Sequence, residues 1–465
     1  MRQESSVDPI PGIMGPTWSS NNGADSREPV MNDQSLPQSS PFPRSFHVVA
    51  KPVGPRCNLD CTYCYYLHKG DLQPGRIAGD LLEEFIRQYI AGQEIDEVVF
   101  NWHGGEPALL GLDFYHNIIK LQRKYAGTIH VRNDFQTNGV LLDEAWCEFF
   151  QEHHFYVGLS IDGPKDLHDA FRKGKGGAPT FDQVYRAAKL LRQYQIPFNP
   201  LVVVNSVNAR HPAEVYQFLT EDLGCSRIQW LPCADPKDYR TTAPGHWDAT
   251  RMPIQGTPAS RPGHPDSAVT DWSVDPDDWG EFLCRTFDLW LKTGLGRVLV
   301  NWFETSVGAW MNEPAQMCNL APVCGRSLVA LEKDGSLYSC ERLVYPEYRL
   351  GNLRDSQLAD VVYSPRQRQF GLNKRNSLTD QCKRCRYLFA CHGECPKNRF
   401  IKSLDGQPGH NYLCSGLKRF FAYADPYLRQ IARHVLRHCA AQGSIAVEIP
   451  LASRTEKEKP CQANV

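Results

Sequence analysis

The 465-residue sequence predicts an α/β fold: an open or partial barrel of parallel strands, followed by a small cysteine-rich unit. Short β-rich runs alternate with amphipathic segments between Phe46 and about Trp302, and cysteines crowd the region from Cys318 to Cys414. Alternating strands and helices imply βαβ units and a parallel sheet. Six or seven units in roughly 250 residues suit a partial barrel better than a closed barrel of eight strands.

The composition excludes several classes of partner. The formal net charge is -1 and no long basic run is present, so neither a nucleic acid nor a membrane surface is expected as a partner. The N-terminus "MRQESSVDPIPGIMG" lacks the pattern of a secretory signal, and we expect a cytoplasmic protein. In a reducing cytosol, the 17 cysteines indicate metal binding and not a disulfide framework.

The chain divides into regions of different composition. Residues 1–45 are rich in Ser, Pro, Asn and Asp and predict a disordered leader. Residues 46–305 carry the βα units, but 235–270 are dense in Pro and Gly and predict either a lid or a disordered insertion. Residues 306–440 form the cysteine-rich unit, with a helix around "DPYLRQIARHVLRHCAA", and residues 441–465 form a loose tail.

The predicted strands are short apolar runs with few charges. They are "FHVVAKPV", "EVVFNWHG", "IHVRNDFQTNG", "FYVGLSIDG", "FNPLVVVN", "RIQWLPC" and "RVLVNWF". Segments such as "FDQVYRAAKLLRQY" lie between them and repeat their apolar residues at helical spacing. Each run of this kind therefore predicts one strand of the barrel.

Three cysteines directly follow the first predicted strand, namely Cys57, Cys61 and Cys64, and Tyr63 precedes the last of them. The carboxyl ends of barrel strands are where α/β barrels carry their chemistry. Zinc sites and iron–sulfur clusters both normally use four protein ligands. A cubane held by only three thiolates leaves one iron free for a small molecule. The alternative is a zinc knuckle that borrows a distant histidine such as His68.

The Cys-x3-Cys-x2-Cys motif with its aromatic residue resembles the signature of the radical S-adenosylmethionine (SAM) enzymes. "GGEP", at the end of the second strand run, and then "QTNG", "SIDG" and "HDAFRKG" match that family in order. The resemblance implies a partial (β/α)6 TIM-type barrel in which a [4Fe-4S] cluster on the three cysteines binds SAM and cleaves it to a 5′-deoxyadenosyl radical. It also implies which residues bind SAM: Tyr63, Gly104, Gly105, Glu106, Ser160 and Arg172.

Eight more cysteines follow in the C-terminal unit. Eight thiolates suffice for two cubanes, and two structural zinc sites would use the same number. "CGRSLVALEKDGSLYSCE" predicts a β-hairpin with "KDGS" at its turn. The arrangement resembles the SPASM extension, which carries two auxiliary [4Fe-4S] clusters. The resemblance implies that Cys318, Cys324, Cys340 and Cys395 hold one cluster, and that the other is held by Cys382, Cys385, Cys391 and Cys414.

Within that family, "CNLDCTYCYYLHKG", "WHGGEPALLGLDFY" and "CERLVYPEYRLGN" resemble the anaerobic sulfatase-maturating enzymes. These enzymes convert a cysteine or serine in a sulfatase motif to Cα-formylglycine. The resemblance implies an unfolded sulfatase polypeptide as substrate and a reduced flavodoxin- or ferredoxin-type protein as electron donor. It also implies that His103, just before GGEP, is a hydrogen-bonding neighbour of SAM.

The residue after the third cysteine of the extension is the catalytic base proposed for that family, where it is an aspartate. This chain has Glu341 there, and the extra methylene moves the carboxylate by about 1.5 Å. Glu341 is therefore the candidate base. Alternatively, it is a solvated hairpin residue or an ion-pair partner of Arg342 or Arg349.

Two other functions remain open at this point. A SPASM-type maturase of another peptide or protein would use the same radical but form a crosslink or a thioether. A non-enzymatic zinc-binding scaffold would use the cysteines but would give GGEP no role. The near-neutral charge argues against a scaffold for nucleic acid.

Overall fold

A large, mostly parallel sheet organises the part of the chain that the computed structural model describes, which is residues 45–69, 75–325 and 328–441. The predicted leader up to residue 44 and the tail from residue 442 lie outside these residues. The strands are β1 (His47–Lys51), β2 (Glu97–Trp102), β3 (His130–Thr137), β4 (Tyr156–Ser160), β5 (Phe198–Val204), β6 (Arg227–Pro232), β7 (Leu299–Val300), β8 (Leu328–Glu332), β9 (Ser336–Tyr338), β10 (Arg349–Asn352), β11 (Ile401–Lys402) and β12 (Pro408–His410).

The large sheet has the strand order β10-β9-β8-β1-β2-β3-β4-β5-β6-β7, and β11 and β12 form a separate pair. Strands β1 to β7 pair in parallel with their neighbours, in chain order. The predicted α/β class with a parallel sheet is confirmed, and the strand order is that of an open sheet. The predicted hairpin is also present as the antiparallel pair β8 and β9.

Helices cover the outside of the parallel strands because each crossover must return the chain to the same edge of the sheet. They are α1 (Gly79–Ala91), α2 (Leu112–Tyr125), α3 (Glu144–Glu152), α4 (Lys165–Asp169), α5 (Phe181–Gln193), α6 (Pro212–Gln217), α7 (Pro276–Leu289), α8 (Asn301–Trp310), α9 (Leu358–Val362), α10 (Pro365–Asn376), α11 (Asp380–Lys383), α12 (Leu388–Cys391) and α13 (Cys414–Ala441). Among the described residues, none of the helices combines the length and the apolar character needed to cross a bilayer.

The run "RVLVNWF" was predicted as a strand, but the strand covers only Leu299–Val300 and α8 begins at Asn301. Trp302, Phe303 and Ser306 are buried at helical spacing, so packing overrides the β preference of the run. The Asn301 side chain accepts hydrogen bonds from the Trp230 and Trp302 amides and joins the end of the strand to the helix. The C-terminal helix also differs from the prediction, since it already begins at Cys414.

The Pro-rich segment 235–270 is described in full and folds against the cysteine-rich unit. It contains one short helical turn, Pro258–Ser260, and otherwise lacks regular structure. Ile254 pairs with Lys402, and the Tyr345 hydroxyl donates to the Tyr239 carbonyl at 2.5 Å. The segment follows β6 in the chain and packs against the C-terminal unit through these contacts.

Strand β1 joins the barrel to the C-terminal unit. It pairs in parallel with β2 on one side and with β8 on the other, with Val49 opposite Ala330 and Lys51 opposite Glu332. Parallel pairing brings the carboxyl ends of these strands to one edge. The loop with Cys57 and the turn from β8 into β9 consequently leave the sheet from the same edge, whereas β9 runs back antiparallel and Glu341 follows its end.

Helices α7 and α13 cross at two glycines, and we predict that Gly416→Ala destabilises the protein. A Cβ atom at Gly416 would lie 2.0 Å from the Pro276 carbonyl oxygen. Overpacking of this kind costs about 1 to 3 kcal/mol. The displaced helix begins at Cys414, so bound iron should fall as well. Anaerobic thermal unfolding and iron analysis would measure both effects.

Gly79→Ala is the matched control, because a Cβ atom there meets nothing within 4 Å and the residue begins α1. It should leave both the unfolding temperature and the iron content unchanged or slightly increased. Equal losses in the two variants would contradict the assignment of a tight crossing at Gly416.

Candidate active site

The three predicted cluster cysteines lie together in the loop after β1. All are free thiols, and they pack around Leu59 and Tyr63. Burial raises the pKa of Cys57 to about 11 and that of Cys61 to about 12, and the thiols raise each other's pKa. The Cys64 amide also donates to the Cys61 carbonyl at 3.0 Å, so the three residues share one small cluster. They therefore form a donor set suited to a group that takes thiolates.

The GGEP loop after β2 packs directly on the cysteine loop. The Gly105 amide donates to the Gly54 carbonyl at 2.8 Å, and the Glu106 amide donates to the Arg56 carbonyl at 2.9 Å. A Cβ atom on Gly105 would lie 2.0 Å from the Arg56 oxygen, and Gly104 has a φ of +123°. Glycine is thus required at both positions, because the two loops approach backbone to backbone.

Glu106 is fully buried and fixes the GGEP loop to the end of β3. Its Oε1 accepts from the Ala108 amide at 2.9 Å and from the Thr137 hydroxyl at 2.8 Å, and its Oε2 accepts from the Asn138 amide at 2.8 Å. Burial raises the pKa of Glu106 to about 7, although these hydrogen bonds lower it. Its contacts within the chain hold the loop in place.

Tyr63, Asp162 and Arg172 form a buried network beside the cysteine loop. The Tyr63 hydroxyl donates to Asp162 Oδ2, and Arg172 Nε lies 3.1 Å from the same oxygen. The Arg172 guanidinium also lies over the Tyr63 ring, 5.5 Å from its centroid. The Val203 amide donates to Asp162 Oδ1 at 2.9 Å. Ser160 is half-buried at the end of β4, two residues before this aspartate.

Two residues beside the three-cysteine loop, Asp162 and Asn138, were missed at the sequence level. Asp162 stands in "SIDG" and Asn138 in "QTNG", so both belong to strings that the family resemblance used without giving them a role. Asn138 Nδ2 donates to Asn58 Oδ1 at 2.8 Å and lies 3.6 Å from the Cys57 sulfur. Asn138 follows the end of β3 directly and Asp162 lies two residues after the end of β4, and that position was the available signal.

Glu341 lies where the cysteine loop meets the hairpin of the C-terminal unit. The Tyr65 hydroxyl, next to Cys64 in sequence, donates to Glu341 Oε2 at 2.6 Å, and Arg342 Nε pairs with Oε1 at 3.1 Å. The ion pair that the sequence allowed is therefore present. Burial alone would raise the pKa of Glu341, but Arg342, Lys51, a neighbouring histidine and the Tyr65 hydrogen bond lower it to about 2. The side chain is 19% exposed, so a ligand can reach it.

Lys51 connects these loops from inside the sheet and was not predicted as a site residue. It is 1% exposed, and its Nζ donates to the Glu341 carbonyl at 2.8 Å and lies 3.9 Å from the Tyr66 ring centroid. The Tyr66 hydroxyl in turn donates to the buried carboxylate of Glu332. His103 lies in the same charged group, and burial lowers its pKa to about 4.

The eight C-terminal cysteines fall into two groups whose thiols act on one another. In one group, burial and then neighbouring charges, including Cys318 and Cys395, raise the pKa of Cys340, and Cys324 and Cys318 act on Cys395. In the other group, burial raises the pKa of Cys414, and three further thiols raise it more: Cys391, Cys382 and Cys385. The thiols that act on one another are those that the resemblance assigns to one cluster, and which four cysteines hold each cluster stays a prediction.

His68, which a zinc site at the first loop would need, instead lies against Arg240, with 3.0 Å between His68 Nε2 and an arginine Nη. Within residues 45–69, 75–325 and 328–441, no three His, Cys, Asp or Glu side chains converge on a position for a single metal ion. A [4Fe-4S] cluster binds each thiolate through a different iron and does not require that convergence.

Comparison with known proteins identifies both units. Residues 52–219 match the family model of the radical SAM superfamily, and residues 323–386 match that of the SPASM iron–sulfur cluster-binding domain. A serine-type anaerobic sulfatase-maturating enzyme of Bacteroides thetaiotaomicron is 41% identical over 86% of this chain and 94% of its own. A cysteine-type enzyme of that name from Clostridium perfringens is 31% identical over 83% of this chain and 98% of its own.

A solved structure is also similar to this chain over most of its length. The structure described as native anSMEcpe with bound AdoMet and the Kp18Cys peptide has a TM-score of 0.71 and is 31% identical. The match covers 83% of this chain and 99% of that one. The radical SAM barrel and the SPASM domain that the sequence predicted are thereby confirmed.

We predict that Asp162→Asn weakens SAM binding and lowers stability. The substitution leaves the buried Arg172 without its counter-charge, and breaking a buried pair costs about 3 to 5 kcal/mol. Equilibrium binding of labelled SAM to the anaerobic protein and thermal unfolding would measure the two effects. Asp182→Asn is the control, because it breaks only the exposed pair with Lys165 and should change neither quantity much. Equal effects of the two substitutions would contradict a special role for Asp162.

Proposed function

The chain belongs to the anaerobic sulfatase-maturating enzymes of the radical SAM superfamily, and we propose that it oxidises a cysteine or serine in a sulfatase active-site motif to Cα-formylglycine. One observation carries this proposal. A carboxylate, Glu341, stands between the three-cysteine loop and the first group of C-terminal cysteines, held by Tyr65 from one side and adjacent to Cys340 on the other. A substrate side chain that reaches this carboxylate is next to both sets of thiols.

The enzyme uses three [4Fe-4S] clusters and SAM as cofactors. When bound, they supply a 5′-deoxyadenosyl radical that takes one hydrogen atom from Cβ of the target and an auxiliary cluster that takes up one electron. Cys57, Cys61 and Cys64 would hold the first cluster, and the two groups of four described above would hold the others. Tyr63, Gly104, Gly105, Glu106, Ser160 and Arg172 would bind SAM or fix the loops around it.

Glu341 is the proposed base. It takes the proton of the target hydroxyl or thiol, so that the target loses one hydrogen atom, one proton and one electron in all. Serine then gives the aldehyde directly, and cysteine gives a thioaldehyde that water hydrolyses. The hydrogen bond from Tyr65 to Oε2 is the contact that the substrate can replace, while Lys51 and Arg342 keep the carboxylate in position.

The proposed substrate is an unfolded sulfatase polypeptide, because the target residue must leave its own fold to reach Glu341. The solved relative with a bound peptide supports this choice. A reduced flavodoxin- or ferredoxin-type protein is the proposed electron donor, since one electron must enter for each SAM that is cleaved. We place the reaction in the cytoplasm, where the thiols stay reduced.

The function is tested by an anaerobic assay with two peptides that carry C-x-P-x-R or S-x-P-x-R. We expect SAM-dependent loss of mass that corresponds to the aldehyde in at least one peptide, and about twelve iron per chain from three clusters of four. SAM cleavage without any change in either peptide would favour a maturase that acts on another peptide or protein. Stoichiometric zinc in a colourless protein would favour the scaffold.

Glu341→Gln should strongly slow turnover of the peptide but not cleavage of SAM. A general base contributes about 10² to 10⁴-fold to a rate, so aldehyde formation should fall by that factor while 5′-deoxyadenosine still forms. Glu341→Asp keeps the carboxylate and should lose less. Glu347→Gln, at an exposed carboxylate of the same unit, is the control and should behave like the unaltered enzyme. Wild-type aldehyde formation in Glu341→Gln would exclude Glu341 as the base.

A further inference from the structure

The short turn between Cys391 and Cys395 carries a buried carboxylate to which the reaction assigns no role. Glu394 is 0% exposed, and its amide donates to the Cys391 carbonyl at 2.8 Å. His392, Gly393 and Glu394 all have positive φ, of 48°, 71° and 51°. A glutamate is an unfavourable residue in this left-handed conformation, so specific contacts must hold it there.

Three neutral amides hold the Glu394 carboxylate in the described part of the chain. Asn319 Nδ2 donates to Oε1 at 3.0 Å, and Asn398 and Asn411 donate to Oε2 at 2.9 and 2.8 Å. The neutral donors satisfy this buried carboxylate without an ion pair among the described residues, and Arg399 donates to the backbone carbonyl of Glu394 and not to its carboxylate. Its field therefore extends to its neighbours.

The three asparagines come from loops of both cysteine groups. Asn319 follows Cys318 directly, and the Asn398 amide donates to the Cys395 carbonyl at 2.9 Å, so both belong to the first group. Asn411 belongs to the second group, because its carbonyl accepts from the Cys414 amide at 3.1 Å at the start of α13. Glu394 is thus the point at which the two groups are joined.

Glu394 also acts electrostatically on thiols of both groups. Burial raises the pKa of Cys391 and of Cys395 to about 12, and the charge of Glu394 is the next cause for each. Among the smaller contributions to the raised pKa values of Cys318 and Cys324, after burial, is that of the same carboxylate. The negative charge is therefore felt on both sides of the turn.

Two cations share this core. Lys374 is 1% exposed and donates to the Cys318 and Asn319 carbonyls at 3.1 and 2.7 Å. The guanidinium of Arg399 donates to several carbonyls around the turn, including that of Gly393 at 3.0 Å. Neither cation is held by the Glu394 carboxylate, so the three charges act on the cysteine groups from separate positions.

We propose that Glu394 is an electrostatic element shared by the two auxiliary sites, which lowers the reduction potentials of both auxiliary clusters together. The proposal rests on the two auxiliary clusters of the proposed function. A buried negative charge disfavours the reduced form of a nearby cluster, because reduction adds an electron. A charge that acts equally on both clusters shifts their potentials in the same direction and leaves the difference between them unchanged.

The consequence is a reversible path for one electron. When one auxiliary cluster passes an electron to the other, the first is oxidised and the second reduced by one unit, and a common shift leaves that equilibrium unchanged. The lower potentials make the final step easier, in which an oxidised flavodoxin- or ferredoxin-type carrier takes up the electron. The electron removed from the substrate can then return to the kind of protein that supplied the first one.

The test is a potentiometric titration of the anaerobic holoenzyme, followed by electron paramagnetic resonance, with Glu394→Gln. The amide keeps the shape, and Asn398 can flip to accept from it, because Asn398 Oδ1 has no hydrogen-bond partner in the described structure. We expect both auxiliary potentials to rise by a similar amount, about tenfold in each redox equilibrium, which is roughly 59 mV for one electron. The first cluster should not change.

Three further variants separate charge from structure. Glu394→Asp keeps the charge and should give potentials near those of the unaltered enzyme. Asp360→Asn removes an exposed carboxylate of the same unit and should give no shift. Lys374→Gln removes a positive charge and should lower the potential of the first auxiliary cluster. If Glu394→Gln loses iron, so that its potentials cannot be measured, Lys374→Gln decides whether charge in this core sets the potential.

Unchanged potentials in an iron-replete Glu394→Gln protein would overturn the proposal, as would a rise confined to one cluster. A rise in Lys374→Gln would also overturn it, because disruption of the core would then explain the effect and not charge. A low iron content in the unaltered enzyme would instead contradict the clusters of the proposed function. The two failures are therefore distinguishable.

Discussion

The parallel pairing of β1 with β8 is the constraint on which the site depends. It adds the hairpin of the cysteine-rich unit to the barrel sheet, while α13 on α7 and segment 235–270 hold the two units together elsewhere. Because β1 lies between β2 and β8, the three-cysteine loop, the GGEP loop and the turn between β8 and β9 leave one edge of one sheet, and Lys51 ties Glu341, which follows β9, to this junction. The hydrogen-bond register, with Lys51 opposite Glu332, fixes their relative height to within a residue.

The junction between β1 and β8 contains charged side chains, and these charges fix the position of Glu341 relative to the barrel. Burial of a lysine charge costs free energy unless polar partners compensate the loss of water, and Lys51 is only 1% exposed. Its partners are the Glu341 carbonyl, the Tyr66 ring and the negative charges of Glu332 and Glu341. An apolar residue could hold the strands together as firmly. Only a long cation, however, can reach the backbone of Glu341 and hold that residue relative to the barrel.

Local patterns predicted the fold and the thiols, whereas the contacts between distant residues could not be predicted. The alternation of strands and helices gave the open parallel sheet, and cysteine spacing gave the first loop. The prediction of a strand over the whole run "RVLVNWF" was wrong, because burial of Trp302 favours a helix. Asp162 and Lys51 were not identified, because their roles depend on partners far away in sequence. Spacing could not divide the eight C-terminal cysteines, since each group combines residues from separate loops.

The adjacency of Cys340 and Glu341 links the two products of substrate oxidation. In the proposed reaction, the proton would go to the carboxylate and the electron to the group that the neighbouring thiolate would hold, so that the two charges would arrive side by side. An added negative charge next to Glu341 strengthens its affinity for the proton, and a protonated Glu341 favours the added electron. Arg342 contributes to this electrostatic coupling, because it forms an ion pair with Glu341 and its charge also acts on the thiols of Cys318 and Cys395. In the proposed mechanism, the adjacency of these two residues would thus couple the proton transfer to the electron transfer.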